Sequence, residues 1–258
     1  MTVSDRQETP SEGSRRAADS GLPPPSAAPV SQAVPASSSR PQAGSTRAVR
    51  IGDRIVLGIT RHWLALFNLA LLAFVGMPFL APLLMHLGAA GPARLIYLVY
   101  APTCHQLPDR SYFLFGEQRV YTVEQLEDAG VLTGTGLLER RRFVGDETLG
   151  WKVALCERDV AIYGSMIVAG LIFGLVRRRV PKLPVKIYLL FLIPIAVDGL
   201  SQLVGLRTSN WWLRTLTGAL FGMATVWLAY PYVQESMDAT RRDTERKLSH
   251  ETGQKADS

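Results

Sequence analysis

The sequence predicts an all-α integral membrane protein with four transmembrane helices. Hydrophobic residues make up 47% of the chain, a share that soluble proteins also reach, but here they are clustered. Four stretches approach the ~20 apolar residues that a helix needs to cross a hydrocarbon core. They lie at about residues 63–87, 159–176, 184–204 and 211–232, and together they define a transmembrane domain at 47–234.

Residues 1–46, before the first span, are rich in Ser, Pro, Ala, Gln and Gly and hold almost no large apolar side chain. Such a segment cannot bury enough surface to offset its ordering entropy, so we predict a disordered tail. It has no apolar region near its start and does not resemble a cleaved signal peptide. In the first span, Pro78 and Pro82 are expected to bend the helix, with neighbouring helices satisfying the freed carbonyls.

The connection at residues 88–158 is the longest between two spans. Residues 92–101 are apolar but too short to cross a bilayer, which predicts a re-entrant or interfacial helix. Thr122 and Gln125 have the spacing of a capping box, which predicts a short helix near residues 123–129. The rest of residues 116–151 carries no apolar run and is expected to form turns.

Small and ionisable residues suggest how the spans pack. Gly170-x-x-x-Gly174 in the second span and Gly218-x-x-x-Gly222 in the fourth let backbones approach closely, which favours a contact between these spans. Asp198 lies inside the third span, with Gln202 four residues on and hence on the same helical face. A carboxylate at this depth needs a partner, and Arg214 in the fourth span is the expected one.

Basic residues set the expected orientation. The loop between the second and third spans contains no acidic residue and five basic ones, Arg177, Arg178, Arg179, Lys182 and Lys186. The positive-inside rule then places this loop and both termini in the cytoplasm, in a multi-pass inner-membrane protein. Residues 88–158 become an extracytoplasmic loop and residues 235–258 a charged cytoplasmic tail. These flanking clusters account for the net charge of +6, and no basic stripe with interleaved aromatics indicates a nucleic-acid partner.

On this topology, reactive side chains converge at the outer ends of the spans. The chain has two cysteines, Cys104 and Cys156, and an isolated pair facing an oxidising exterior favours a disulfide. Such a bond would close a loop of about fifty residues and stabilise the fold by about 4 kcal/mol. A second interpretation is a metal site formed by Cys104, His105, Cys156 and His86, with zinc or copper as the ion. A third is a redox-active thiol pair, with Arg110 or Arg158 supplying positive charge.

Polar residues extend this constellation into a candidate ligand-binding or structural cluster. Its members are His105, Gln106, Arg110, Ser111, Arg158, Tyr163, Asp198, Gln202 and Arg214. No phosphate-binding glycine loop, His-Glu-x-x-His helix or Gly-x-Ser-x-Gly nucleophile elbow occurs in the sequence, which argues against an enzyme of those classes.

These residues resemble the signature of a group of bacterial predicted membrane proteins that carry a domain of unknown function. The resemblance rests on Cys104-His105-Gln106-x-Pro108-x-Arg110-Ser111, Cys156-x-Arg158 through Tyr163-Gly164, Asp198-Gly199 with Gln202, and Arg214 with Thr217-Gly218. Many relatives have a further Cys shortly after the arginine of the second block, where this chain has Asp159 and Val160. The resemblance implies the architecture and the place of the site, and it implies no reaction.

The sequence therefore favours a non-enzymatic membrane protein whose outer site binds a metal, a small ligand or a partner membrane protein. The alternatives are a small transporter or membrane enzyme that uses Asp198 to handle protons, and an accessory subunit of a membrane complex. The absence of an evident internal repeat speaks against an autonomous transporter.

Overall fold

The computed structural model describes residues 43–131, 136–177, 179–206 and 210–256, so most of the predicted disordered tail at 1–46 lies outside the described residues. The described chain forms seven α-helices and three short β-strands. The helices are α1 (Ala43–His86), α2 (Ala90–Tyr100), α3 (Val123–Asp128), α4 (Leu137–Arg142), α5 (Glu157–Val176), α6 (Val185–Leu203) and α7 (Trp211–Ala256). The strands are β1 (Ser111–Leu114), β2 (Gly145–Asp146) and β3 (Gly150–Cys156).

Four of these helices, α1, α5, α6 and α7, are long and apolar enough to cross a membrane, which confirms the predicted fold class. Helices α1 and α7 have 44 and 46 residues. At ~1.5 Å per residue each is more than twice as long as a ~30 Å hydrocarbon core is thick, so both continue beyond it. The charged segment at residues 235–256 is therefore a continuation of α7 rather than a separate element.

The two ends of the bundle differ. At one end, here called the loop end, α1 finishes and α5 begins, and the long connection between them folds there. At the other, here called the tail end, α5 finishes and Trp63, Phe173, Val226 and Tyr230 form an aromatic-rich core. Trp63 and Tyr230 meet edge to face with their ring centroids 5.4 Å apart, which joins α1 to α7.

The connection contains a three-stranded antiparallel sheet in the order β1-β3-β2. Ser111 lies opposite Cys156 in the β1–β3 pair, and Gly145 lies opposite Trp151 in the β2–β3 pair. The prediction of turns for the rest of residues 116–151 was therefore wrong at α4, at β2 and at the start of β3. β2 has only two residues and pairs locally with the start of β3, which leaves no alternating pattern to recognise, while β1 pairs with β3 across a long stretch of sequence.

Two local predictions in the same connection are confirmed. A short helix, α2, covers the apolar segment that was too short to span, and α3 begins at the predicted capping box. The Gln125 backbone N–H donates to Thr122 Oγ1 at 3.3 Å, and the Thr122 N–H donates to Gln125 Oε1 at 2.9 Å. Both bonds satisfy amides that a helix start leaves without partners.

A tyrosine of α2 compensates for a proline in α1. Pro78 has no N–H, so the carbonyl of Phe74, four residues earlier, loses its helical partner. The hydroxyl of Tyr100 donates to that carbonyl at 2.7 Å, and its ring packs against Phe74 with the centroids 5.2 Å apart. Helix α2 is thereby fixed against the first span, at the depth where the connection must turn back.

Helices α5 and α7 make the most extensive helix contact in the bundle, as the glycine motifs predicted. The geometry differs from a glycine-to-glycine contact. A Cβ on Gly222 of α7 would lie 2.3 Å from the Ile162 carbonyl oxygen and 2.2 Å from Ser165 Oγ, both on α5. A Cβ on Gly170 of α5 would instead lie 2.4 Å from Asn68 Oδ1 of α1. Each motif therefore allows the close approach of a different neighbour, and α5 packs between α7 and α1.

We predict that Gly222→Ala lowers the thermal stability of the detergent-solubilised protein. The added methyl would overlap the backbone of α5, which cannot yield as a side chain does, and overpacking of this kind costs about 1–3 kcal/mol. Gly164→Ala is the matched control, because a Cβ there meets nothing within 4 Å. Thermal melting of the two variants measures the difference; equal melting temperatures would contradict the proposed close approach.

Candidate functional site

The candidate site lies at the loop end, where β3 passes directly into α5. Cys156 is the last residue of β3 and the N-cap of α5, and its sulfur accepts from the Asp159 backbone N–H at 3.5 Å. Cys104 lies just beyond α2, and its sulfur accepts from the backbone N–H groups of Cys156 at 3.1 Å and Gln106 at 3.5 Å. Backbone amides therefore point at both sulfurs, and Cys104, which accepts two of these bonds, is the better placed to carry a thiolate.

The two sulfurs and a carboxylate oxygen of Asp159 lie within 4.8 Å of one another. Both cysteines are free, so the predicted disulfide is not present: an S–S bond requires a separation of about 2.05 Å. Cys104 is buried, whereas Cys156 and Asp159 are partly exposed. The sequence predicted that these cysteines meet, and it missed Asp159 as their neighbour.

The cysteines influence each other's titration. The pKa of Cys104 is lowered, chiefly because the Cys156 side chain shares a hydrogen bond with it. The pKa of Cys156 is raised, by the same bond and by burial. As the pH rises, the Cys104 thiol therefore loses its proton before the Cys156 thiol does.

Gln106 holds the backbone around Cys104 in place. It is buried, and its φ of +50° is unusual for a residue with a side chain. Its amide nitrogen donates to the carbonyls of Tyr97 at 2.9 Å and Ala154 at 3.1 Å, which offsets the strain of that conformation. Gln106, one of the predicted cluster residues, therefore links α2 to β3 behind the sulfurs.

A fully buried lysine lies on the other side of this turn. Lys152 Nζ donates to the carbonyl oxygens of Gln106 at 2.6 Å and Arg141 at 2.8 Å. Burial lowers its pKa to about 7, since desolvation disfavours the ammonium form. Arg141 in turn donates to the carbonyl of Cys104 at 3.3 Å. Sequence reasoning missed both residues; a lysine inside an otherwise apolar strand was the available signal.

Two buried ion pairs lie beside the sulfurs, where α5 meets α6 and α7. Arg158 of α5 bonds Asp198 of α6, and Arg214 of α7 donates to Glu157 of α5 at 2.9 Å. Arg214 also donates to the carbonyl of Asp109 at 3.1 Å, which ties the connection to the bundle. The predicted pairing of Asp198 with Arg214 is therefore replaced by two ion pairs, each with a residue at the start of α5. The sequence singled out Asp198, Arg158 and Arg214, but Glu157, which is fully buried, was missed.

A cavity of about 300 Å³ opens over Cys156 and over the arginines of these ion pairs. The structure brings five predicted cluster residues to its wall, together with Cys156: His105, Arg110, Arg158, Gln202 and Arg214. Asp159 lines it as well, so the carboxylate near the sulfurs faces the same space.

The remaining predicted residues have other environments. The ring of His86 stacks on Phe115 with centroids 4.3 Å apart. Ser111 is buried and donates to the Leu107 carbonyl at 2.9 Å, and the ring of Tyr163 packs edge to face on Phe74. Within the described part of the chain, neither His86 nor His105 joins the set of ligand atoms within 4.8 Å, so the predicted four-residue metal site is not assembled as expected.

Comparisons with known proteins agree with the architecture. A family model described as "Predicted membrane protein (DUF2085)" matches residues 147–228, the segment that contains β3, α5, α6 and most of the membrane part of α7. The uncharacterized protein MJ1492 of Methanocaldococcus jannaschii is 32% identical over 160 residues, which is 59% of this chain and 81% of that protein. No solved structure matches.

We predict that stability rises with pH between about 7 and 10.5 because of Lys152. Its pKa is depressed in the native state from an ordinary value of 10.5, so in this window the unfolded chain binds more protons than the native one. Below about pH 7 the cost of burying the ammonium is present in full, at a few kcal/mol. Melting temperatures of the reduced protein from pH 6.5 to 9.5 measure how stability changes with pH.

Lys152→Met serves as the comparison. This variant leaves two carbonyls without a donor and is expected to be less stable at every pH. Its melting temperature should rise less steeply with pH, because the contribution of Lys152 titration is removed. Equal slopes in the parent and the variant would show that Lys152 does not titrate in this range.

Proposed function

Since this chain belongs to the DUF2085 family of predicted membrane proteins, we propose that it is a metal-binding membrane protein. The site is formed by Cys104, Cys156 and Asp159, and the ion is one with affinity for thiolates, zinc foremost. The observation that carries the proposal is the close grouping of two sulfurs and a carboxylate oxygen within 4.8 Å, in a wall that opens on a cavity.

The donor set suits zinc. Zinc prefers four ligands in a tetrahedron, with bonds of about 2.3 Å to sulfur and 2.0–2.2 Å to oxygen, so its ligand atoms lie roughly 3.5–4 Å apart. The three ligand atoms here lie within 4.8 Å of one another, which is close to that spacing. The backbone N–H groups that point at both sulfurs stabilise thiolates and orient them, as outer-shell partners of metal ligands do.

The fourth position is open to the cavity, which is lined by His105 as well as by Arg110 and Arg158. A histidine on that wall is a fitting fourth ligand, and water or a small anion attracted by the arginines is the other candidate. Three protein ligands and one exchangeable position describe a site that can take up and release its ion or bind a ligand through it.

The geometry supports binding over proton transfer at Asp198. That carboxylate is 1% exposed and bonded to the guanidinium of Arg158, so its charge is neutralised inside the bundle. A pair of this kind braces α5 against α6, and breaking it would leave an uncompensated buried charge. Asp198 is therefore assigned a structural role beneath the cavity.

We place the site on the extracytoplasmic face of the inner membrane, with both termini in the cytoplasm. Arg177, Arg179, Lys182 and Lys186 flank the tail end of the bundle, whereas acidic and basic residues are mixed in the connection at the loop end. The positive-inside rule supports the cytoplasm for the tail end. The cavity would then open to the periplasmic or external space.

We predict that the reduced, metal-free protein in detergent binds one Zn²⁺ per chain. Cys104→Ser and Cys156→Ser are each expected to weaken binding by roughly a hundredfold or more, since each removes a thiolate ligand. Asp159→Asn should weaken it by about tenfold, because an amide oxygen is a poorer ligand than a carboxylate. Calorimetric titration and elemental analysis after gel filtration measure the affinity and the stoichiometry.

His86→Ala is the control for this series, because its ring stacks on Phe115 and contributes no atom to the cluster. It should bind zinc like the parent. Titration with Co²⁺, which shows sulfur-to-cobalt charge-transfer absorption when thiolates ligate it, reports the ligands directly. Unchanged binding in the cysteine variants, or no binding by the parent, would exclude the site.

The orientation yields a separate prediction. A cysteine at the exposed loop position in Glu117→Cys should react with a membrane-impermeant maleimide in intact cells. One at the exposed tail position in Arg246→Cys should react only after the membrane is opened. The parent protein measures the background from Cys104, which is buried, and Cys156. The reverse labelling pattern would place the thiol site in the cytoplasm.

A further inference from the structure

We infer that the tail end of the bundle carries a binding site for one anionic phospholipid. The site, here called the tail-end groove, lies between the last turns of α5, the segment at residues 179–181 and the facing turns of α7. It is at the opposite end of the bundle from the cysteines, so it does not depend on the proposed metal site.

The apolar part of the tail-end groove has a volume of about 450 Å³. Ala169, Phe173 and Val176 form its α5 wall, and Met223 and Trp227 form its α7 wall. Trp227 Nε1 donates to the Pro181 carbonyl at 3.1 Å and holds the connecting segment over one end. Because both walls belong to membrane-spanning helices, acyl chains rather than water are the solvent that fills such a groove.

A polar cavity of about 290 Å³ adjoins the groove and shares Phe173 and Val180 with it. Arg177 and Arg242 line this cavity, and Arg179 lines the groove itself. Glu235 and Asp238 line the polar cavity as well, but Glu235 pairs with Lys182 and Asp238 accepts from Gln234 Nε2 at 2.9 Å. The two parts therefore form one amphipathic space, apolar towards the bilayer and charged, with three arginines, towards the tail end.

The arginines of this space are the groups that select the ligand. Lys182 is engaged by Glu235 at 2.5 Å and lies 4.7 Å over the ring of Tyr232. Arg177 and Arg179 are exposed, and within the described chain neither has an acidic side chain inside the 4 Å range of a salt bridge. Guanidinium groups beside an acyl-chain groove at the headgroup level match a phosphate diester with a net negative charge.

The test is native mass spectrometry of the full chain, released from mild detergent after exposure to equal amounts of phosphatidylglycerol and phosphatidylcholine with identical acyl chains. We expect one retained lipid per chain, with a preference of about tenfold for phosphatidylglycerol. The double variant Arg177→Gln/Arg179→Gln should retain lipid without that preference. Ala169→Phe, which fills the groove, should retain less of both lipids.

The matched control is Arg54→Gln/Arg246→Gln, which removes the same charge from exposed positions on α1 and α7 outside the groove. Its preference should equal that of the parent, and melting temperatures verify that every variant is folded. An equal loss of preference in the control would show a diffuse effect of charge and overturn the site. So would the absence of a preference in the parent, or unchanged lipid retention in Ala169→Phe.

Discussion

The structure at the loop end depends on one constraint: strand β3 becomes helix α5 with no connecting loop. Four consecutive residues at this junction therefore point in three directions. Cys156 meets Cys104, Glu157 meets Arg214, Arg158 meets Asp198, and Asp159 returns to the sulfurs. Because the helix start fixes their relative angles at ~100° per residue, the strand, two further spans and the thiol pair are brought together around a single turn.

Buried charge is the main cost of this arrangement, and its pairing explains the local rigidity. Glu157 and Lys152 are fully buried, and Asp198 is 1% exposed. Each is bonded to a guanidinium or to backbone carbonyls, since an ion left unpaired at this depth would be strongly destabilising. Such networks add little net stability compared with an apolar core, but they admit few alternative arrangements. They therefore favour one geometry of the turn that carries Cys104.

The tail end is held together differently, by close packing and aromatic contacts. Gly222 lets α7 approach the α5 backbone, and Trp63, Phe173 and Tyr230 fill the space beside α1. Helix α6 is largely exposed to the surrounding lipid, with only Asp198 buried among its residues. The bundle is thus a three-helix core with α6 attached through α7 and through the ion pair at the loop end, and this asymmetry leaves the tail-end groove open.

The sequence by itself determined which segments lie in lipid, because apolar length is a local property that requires no partner. It also determined the capped start of α3 and the contact between the second and fourth spans. Cys104 and Cys156 were expected at the same end because both lie in the connection between the first and second spans, with no membrane crossing between them. All these features depend on residues within one helix or on the number of membrane crossings.

Only the tertiary structure decided how the site is built. The amide that bonds Cys104 Sγ lies 52 residues away, and the carboxylate that bonds Arg214 lies 57 residues away, so no local pattern could select them. The sheet, the buried Lys152 and the place of Asp159 beside free thiols depend on the same long-range pairing. Several side chains could serve as the hydrogen-bond or ion-pair partner of each site residue. Which of them does so depends on how the whole bundle packs and not on any one segment.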